Sequence, residues 1–132
     1  MKRANLFFSI AFGMANFVFQ SAFAAESMTV RSGVTSEVGY FSLYDPRTCG
    51  HGPKPGMILL QPQHGSLVAK WTKSTVARGL CKGNIARGYV VYYKSNSGYR
   101  GTDVGAYTVN YPEYVNGPLD RSKVYTLNLT VK

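Results

Sequence analysis

Apolar and polar residues alternate with a period of two along much of this chain. In residues 124–131 one face reads Tyr, Leu, Leu, Val and the other is mostly polar, which is typical of a half-buried strand. Residues 107–111 repeat this alternation. Residues 89–93 form a continuous β-branched and aromatic run instead, which favours a strand covered on both faces. The second half of the chain therefore favours β-structure.

Four earlier segments carry strand patterns, at residues 28–31, 38–44, 57–60 and 66–72. Gly, Pro, Asn and Asp residues punctuate the chain around these segments, as turns between short strands require. The best helical candidate, residues 75–80, is too short to count as more than a turn. About seven amphipathic strands bury their apolar faces most simply as a β-sandwich of two antiparallel sheets, so the predicted fold class is all-β.

The first 24 residues have the features of a secretory signal peptide. A positive start with Lys2 and Arg3 precedes an uncharged apolar stretch over residues 6–19, and a small-x-small cleavage pattern ends at Ala24. Polar residues interrupt the apolar stretch, which disfavours the alternative of a membrane anchor. We therefore predict cleavage after Ala24, a periplasmic or secreted location, and one mature domain over residues 25–132 without a stable membrane span.

The chain contains two cysteines, Cys49 and Cys81. An exported protein meets an oxidising compartment, so the sequence predicts a disulfide between them. Closing that loop is expected to stabilise the fold by roughly 3–4 kcal/mol. Residues 50–56, rich in Gly and Pro, are expected to form an irregular loop held by the disulfide.

Positive charge is the other compositional signal. The formal net charge is +9, and removal of the signal peptide leaves 13 basic and 6 acidic side chains, a net charge of +7. Nine of the basic residues lie between Pro46 and Thr102, a span with no Asp or Glu. Such a one-signed field attracts anionic partners: a lipid surface, an acidic polysaccharide, nucleic acid or an acidic protein. The alternative is a solvated surface with no cognate polyanion.

Two segments resemble bacterial immunoglobulin-like and cadherin-like repeats. Residues 62–68, Pro-Gln-His-Gly-Ser-Leu-Val, are similar to that family's Pro-x-His-Gly-x-Val opening. Residues 99–103, Tyr-Arg-Gly-Thr-Asp, followed by Tyr-Thr-Val at residues 107–109, are similar to its aromatic-x-Gly-Thr-Asp segment. The resemblance covers roughly residues 62–111. It implies an immunoglobulin-like sandwich and no catalytic residue.

The resemblance also implies fold-making roles for individual residues. Gly101 is expected to allow a tight turn before a strand, and Asp103 to accept hydrogen bonds from backbone N–H groups beside that turn. Tyr107 is expected to place its ring in the core with its hydroxyl near solvent. Gly105 departs from the family, which usually has an inward aromatic residue there. Some cadherin-like modules bind calcium, but the six acids of this chain form no cluster in sequence, so no calcium is predicted.

The sequence supports none of the candidate catalytic or metal-binding motifs. A nucleophilic Cys49 beside His51 conflicts with the predicted disulfide. His51, His64 and Asp45 match no metal-ligand spacing, and no Gly-x-Ser-x-Gly motif is present. The sequence therefore predicts no enzyme activity, no metal and no cofactor.

Aromatic residues interleaved with basic ones carry the functional prediction, because rings can stack on sugars or bases while cations hold phosphates or carboxylates. Trp71, between Lys70 and Lys73, is expected in the core rather than at the surface. The predicted ligand-binding residues are Lys70, Lys73, Arg78, Lys82, Arg87, Lys94, Tyr99 and Arg100. Strand alternation could divide these cations between two faces.

The predicted function is an exported, non-catalytic binding module with a basic surface for an anionic envelope or extracellular ligand. The alternative is a protein–protein interaction module, either an inhibitor or an accessory subunit of an envelope complex.

Overall fold

The computed structural model describes residues 24–114 and 116–132, and it confirms an all-β fold. The predicted signal peptide lies outside the described residues except for Ala24, where the first strand begins. The strands are β1 (Ala24–Val30), β2 (Ser36–Phe41), β3 (Tyr44–Asp45), β4 (Gly50–His51), β5 (Gly56–Leu60), β6 (Gly65–Thr75), β7 (Ile85–Ser95), β8 (Gly101–Tyr111) and β9 (Arg121–Val131). Two short strands, β3 and β4, add to the seven that the sequence predicts.

The strands form two larger sheets and a small ribbon. Sheet A has the order β1-β9-β8-β5, and sheet B has the order β2-β7-β6, while β3 and β4 pair with each other. β1 runs parallel to β9, and the other strand pairs are antiparallel. A bulge between Glu37 and Gly39 shifts the register of β2 against β7.

The two sheets share one hydrophobic core. Its buried residues come from sheet A and sheet B alike: Val30, Val38, Leu67, Val91, Tyr93, Tyr107, Val109, Leu127, Leu129 and Val131. The alternation read from residues 124–131 correctly gives Leu127, Leu129 and Val131 as the inward side chains. Each such side chain stabilises the fold by about 1.5–3 kcal/mol when it leaves water.

Tyr107 lies deeper than the resemblance implied. The whole residue is only 2% exposed, and a Cβ built on Gly39 would lie 2.6 Å from its hydroxyl oxygen. The expectation of a hydroxyl near solvent is therefore wrong, because the bulged strand β2 covers it with a residue that has no side chain. Burial is the main cause that raises the pKa of Tyr107 to about 12, and the nearby carboxylate of Glu26 adds to it.

A buried carboxylate joins the two segments that resemble the repeat family. Asp103 in β8 accepts hydrogen bonds from the Tyr93 hydroxyl at 2.7 Å and from the His64 backbone N–H at 3.2 Å. It also accepts one from the adjacent backbone N–H of Val104, close to its expected turn role. Gly101 has a φ of +137°, so the expected glycine turn is present. Asp103 thus connects sheet A to sheet B as well as capping a turn.

The predicted disulfide is present. Cys49 and Cys81 are bonded, with their Cα atoms 5.5 Å apart. The bond joins the β3–β4 ribbon to the connection between β6 and β7. Gly50 and His51 belong to this ribbon, so the segment 50–56 is less irregular than expected. A structural disulfide of this kind indicates a non-cytoplasmic location. In the described part of the chain, no helix has the length and apolarity that crossing a membrane requires.

Removal of the disulfide tests its contribution to stability. The double variant Cys49→Ala/Cys81→Ala should lose roughly 3–4 kcal/mol of unfolding free energy, because the 32-residue separation sets the entropy of the opened loop. Urea unfolding followed by circular dichroism measures this loss. The oxidised and reduced wild-type protein should differ by a similar amount, and an unchanged urea midpoint in both comparisons would contradict the assignment.

The buried hydroxyl of Tyr107 predicts a loss of stability in alkali. An unfolded tyrosine has a pKa near 10, and folding raises that of Tyr107 to about 12. The folded state therefore favours the neutral phenol. Its contribution is complete below pH 10 and disappears as the pH rises toward 12.

We expect the wild-type protein to lose about 1 kcal/mol more unfolding free energy than Tyr107→Phe between pH 8 and pH 11. Urea titrations at each pH measure the difference. Tyr114→Phe, at an exposed tyrosine, serves as the control and should follow the wild type. Parallel curves for wild type and Tyr107→Phe would contradict the prediction.

Candidate functional site

The predicted ligand-binding residues fall into three separate groups. Lys70 in β6 and Lys94 in β7 point away from the core, on the outer face of sheet B, with Val68 and Tyr92 between them. The Lys70 ammonium lies 5.7 Å from the centre of the Tyr92 ring. These residues line a shallow groove of about 430 Å³.

Tyr99 and Arg100 lie in the connection between β7 and β8, at one end of sheet B. The Tyr99 ring stacks on His64 at 4.1 Å between centroids, and its hydroxyl donates to the Thr102 carbonyl. The His64 and Tyr99 rings thus pack against each other, next to the buried Asp103 that accepts a hydrogen bond from the His64 backbone N–H. Tyr99 and Arg100 lie far from the four predicted cations at the start of β7, since β7 spans about 30 Å between its two ends.

The other four predicted residues lie at the opposite end of sheet B, where β6 ends and β7 begins. We call this the disulfide end, because Cys49–Cys81 lies there. Lys73 and Arg87 sit on the strands themselves, and the connection between the strands carries Arg78 and Lys82. This group contains four of the predicted cations, which is more than either of the other two groups.

A cluster of three cations and two rings forms at the disulfide end. The basic–aromatic cluster consists of Lys54, Trp71, Lys73, Arg87 and Tyr89. Trp71 and Tyr89 meet edge to face, with their centroids 4.9 Å apart. The Lys54 ammonium lies 5.5 Å from the Trp71 ring centre and 5.8 Å from that of Tyr89, which are cation–π distances. Lys54 thus reaches the cluster from the segment between β4 and β5.

Trp71 does not belong to the core. It is half-buried and lies on the core-facing side of β6, beyond the residues that the opposing sheet covers. The expectation that it anchors the core is therefore wrong: β6 extends past that core at this end. A shallow cleft of about 250 Å³ opens beside Trp71, lined also by Thr72, Lys73 and Arg87.

Two like charges face each other in this cluster. Lys73 in β6 pairs directly with Arg87 in β7, so their side chains emerge on the same face at neighbouring positions. Like charges at directly opposed positions destabilise a sheet. Among the described residues the ion pairs are Arg47–Asp45 at 3.3 Å and Arg121–Glu113 at 2.7 Å, so neither Lys73 nor Arg87 is paired with a carboxylate there.

Backbone contacts fix the position of Arg87. Its N–H donates to the His51 Nε2 at 3.0 Å, and its carbonyl accepts a hydrogen bond from the Ser42 hydroxyl. The His51 ring also packs against Tyr44, 5.2 Å between centroids. The β3–β4 ribbon, held by the disulfide, thus supports the strand that carries Arg87.

Acidic groups near the disulfide end are engaged with cations of their own. Asp45 accepts hydrogen bonds from the Arg47 backbone N–H and from its guanidinium, and these bonds hold the pKa of Asp45 below its ordinary value. Glu113 is paired with Arg121. The field around Lys54, Lys73 and Arg87 is therefore left positive.

His51 and His64, weighed as metal ligands, lie at opposite ends of sheet B. His51 contacts the start of β7 through Ile85 and Arg87, whereas the His64 carbonyl accepts from the Asn96 N–H just past its end. The structure does not bring the two rings together.

Sequence reasoning missed Lys54 and Tyr89. The sequence pattern places Tyr89 in a strand covered on both faces and Lys54 in an irregular loop. The register of β6 against β7, which sets Tyr89 opposite Trp71, is the signal that would have identified Tyr89. The position of Lys54 depends on the path of the ribbon and had no signal in the sequence.

Comparisons with known proteins add little here. No protein-family model matches the chain, and no curated protein matches it. Among solved structures, the solution structure of amebosin is similar at 13% sequence identity, covering 83% of this chain and 98% of its own, with a TM-score of 0.42. A likeness of this size carries no argument about fold or function.

The opposed cations predict that Lys73 costs stability. Lys73→Gln removes the repulsion from Arg87 and should raise the unfolding free energy by about 0.5 kcal/mol at low salt. The gain should shrink as salt screens the charges. Lys70→Gln, opposite the neutral Val90, is the control and should give no gain. Urea unfolding at low and high salt measures both, and equal stabilities for wild type and Lys73→Gln at low salt would refute the repulsion.

Proposed function

We propose that this chain is an exported, non-catalytic binding module that holds an acidic polysaccharide at its disulfide end. The observation that carries the proposal is the basic–aromatic cluster, in which Lys73 opposes Arg87 with no carboxylate paired to either among the described residues. Such a pair lowers the stability of the fold, and a bound anion would offset the repulsion between the two positive charges.

The strand order supports an immunoglobulin-like sandwich as the framework. In immunoglobulin domains one sheet contains the order B-E-D and the other C-F-G. Sheet B has the matching order β2-β7-β6, and β5-β8-β9 in sheet A matches the other. β1 lies beside the last strand, β9, and not beside β2. The disulfide and the predicted signal peptide favour a periplasmic or secreted location.

The rings favour a sugar among the possible anions. Trp71 and Tyr89 place aromatic surface next to Lys54, Lys73 and Arg87. A uronic acid or sulfated sugar could lay its ring against an aromatic face while its acidic group meets the ammonium or guanidinium groups. Inorganic polyanions offer charge but no ring to pack, so they would use only half of the cluster.

The experiment measures binding of polygalacturonate through the fluorescence of Trp71, which is the only tryptophan of the chain. We expect binding to change the Trp71 emission, and affinity to fall steeply with added salt. The variant Lys54→Gln/Lys73→Gln/Arg87→Gln should bind about threefold to 150-fold more weakly, since each of the three exposed ion pairs contributes about 0.2–1 kcal/mol.

A matched control removes the same charge elsewhere. Lys94→Gln/Arg100→Gln/Lys132→Gln loses three exposed cations at the far end of the molecule and should bind nearly as well as the wild type. Neutral dextran should not bind, and polyphosphate should bind with a smaller change in Trp71 emission. Equal losses of affinity in the two triple variants would refute a localised site. An affinity that does not change with salt concentration would refute an electrostatic one.

A further inference from the structure

We propose that two copies of this chain associate through the outer face of sheet A, the face that points away from the shared core. In β8, Asp103, Tyr107 and Val109 point inward, so the alternate residues of this strand and of its neighbours point outward. Those outward positions are occupied by Thr, Ser, Asn, Val, Ile, Leu, Ala and Gly, with no charged residue among the described ones.

The absence of charge on this face is unusual for this chain. The outer face of sheet B carries Glu37, Lys70 and Lys94, as a solvated face of a β-sheet ordinarily does. Outer positions of sheet A become charged only past the strand ends, as at Lys132. The cores of protein–protein interfaces are depleted of charged residues in the same way.

Large apolar side chains form adjoining rows on the face. Ile58, Thr108 and Val124 lie side by side on three neighbouring strands, and Leu60 sits beside Ala106 in the next row. Ile58, Leu60, Val104 and Val124 are between 53% and 67% exposed. Several exposed apolar side chains on one uncharged face mark an interaction surface more than isolated ones do.

The uncharged face allows a second copy as the occupant, although the chain as a whole is basic. After removal of the predicted signal peptide each copy carries a formal net charge of +7, so most ways of bringing two copies together oppose cations. The outer face of sheet A avoids this conflict, since two such faces can meet without placing charges opposite each other. A two-fold axis through the face would place the same residues on both sides of the interface.

The area of the face suits a stable contact. Strands that rise about 3.4 Å per residue and lie about 4.8 Å apart give the four strands an area of about 550 Å². Two copies would bury about 1,100 Å² together, just above the roughly 1,000 Å² that a specific interface needs. Twisted sheets pack face to face in this way at about 10 Å.

Sedimentation equilibrium of the purified protein over a range of concentrations tests the proposal. The wild type should show a measurable and increasing fraction of dimer as its concentration rises to about 1 mM. Added salt should strengthen the dimer by screening the repulsion between two basic copies, whereas it weakens polyanion binding. The two proposals can therefore fail independently.

Substitutions identify the face. Val124→Lys, and separately Val104→Lys, should raise the dimer dissociation constant at least about tenfold, since each places two buried ammonium groups in one interface. Val68→Lys is the matched control, because Val68 is 48% exposed on the outer face of sheet B, and it should leave the constant within about twofold. A wild type that stays monomeric at all concentrations, or equal weakening by Val68→Lys, would overturn the proposal.

Discussion

Successive side chains of a β-strand point to opposite faces, and in β6 and β7 this alternation decides which cations can act together. Lys70 and Lys73 are three residues apart in sequence, yet they stand on opposite faces of sheet B. The same rule puts Lys73 beside Arg87 and Lys94 beside the groove over Tyr92. The basic residues of one stretch of sequence are thus divided among several separate groups on the surface. The group at the disulfide end contains the most cations.

The buried Asp103 shows how a polar group can organise a thin core. Its carboxylate is satisfied by the Tyr93 hydroxyl from sheet B and by the backbone of His64 and Val104. A buried carboxylate without such partners would cost several kcal/mol, so the arrangement fixes how the two sheets meet. Gly65 allows it, because a Cβ there would lie 2.8 Å from the Tyr93 hydroxyl oxygen.

Much of the fold could be predicted because the core follows local alternation. Seven segments indicated strands, and Leu127, Leu129 and Val131 were correctly assigned to the inside. The strand limits could not be predicted: β7 begins at Ile85 because it pairs with β6 throughout, a cross-strand effect with no local pattern. The expectation that Trp71 lies in the core is wrong for the same reason, since the hydrophobic pattern of one strand does not show where the opposing sheet ends. The basic–aromatic cluster could not be predicted either, because it depends on the register of β6 against β7 and on the path of the segment between β4 and β5 that carries Lys54.

The two proposed surfaces are compatible, and their geometry gives them a joint consequence. The outer face of sheet A and the disulfide end of sheet B share no residue, so an associated pair would leave both basic–aromatic clusters open to solvent. A long acidic polysaccharide could then engage two clusters on one particle, and linked sites exceed the affinity of either alone by about 10²–10⁴-fold when the ligand spans them. A single shallow site of three cations binds weakly, because exposed ion pairs contribute little. Pairing of copies would turn such a site into an effective one without any new contact to the ligand.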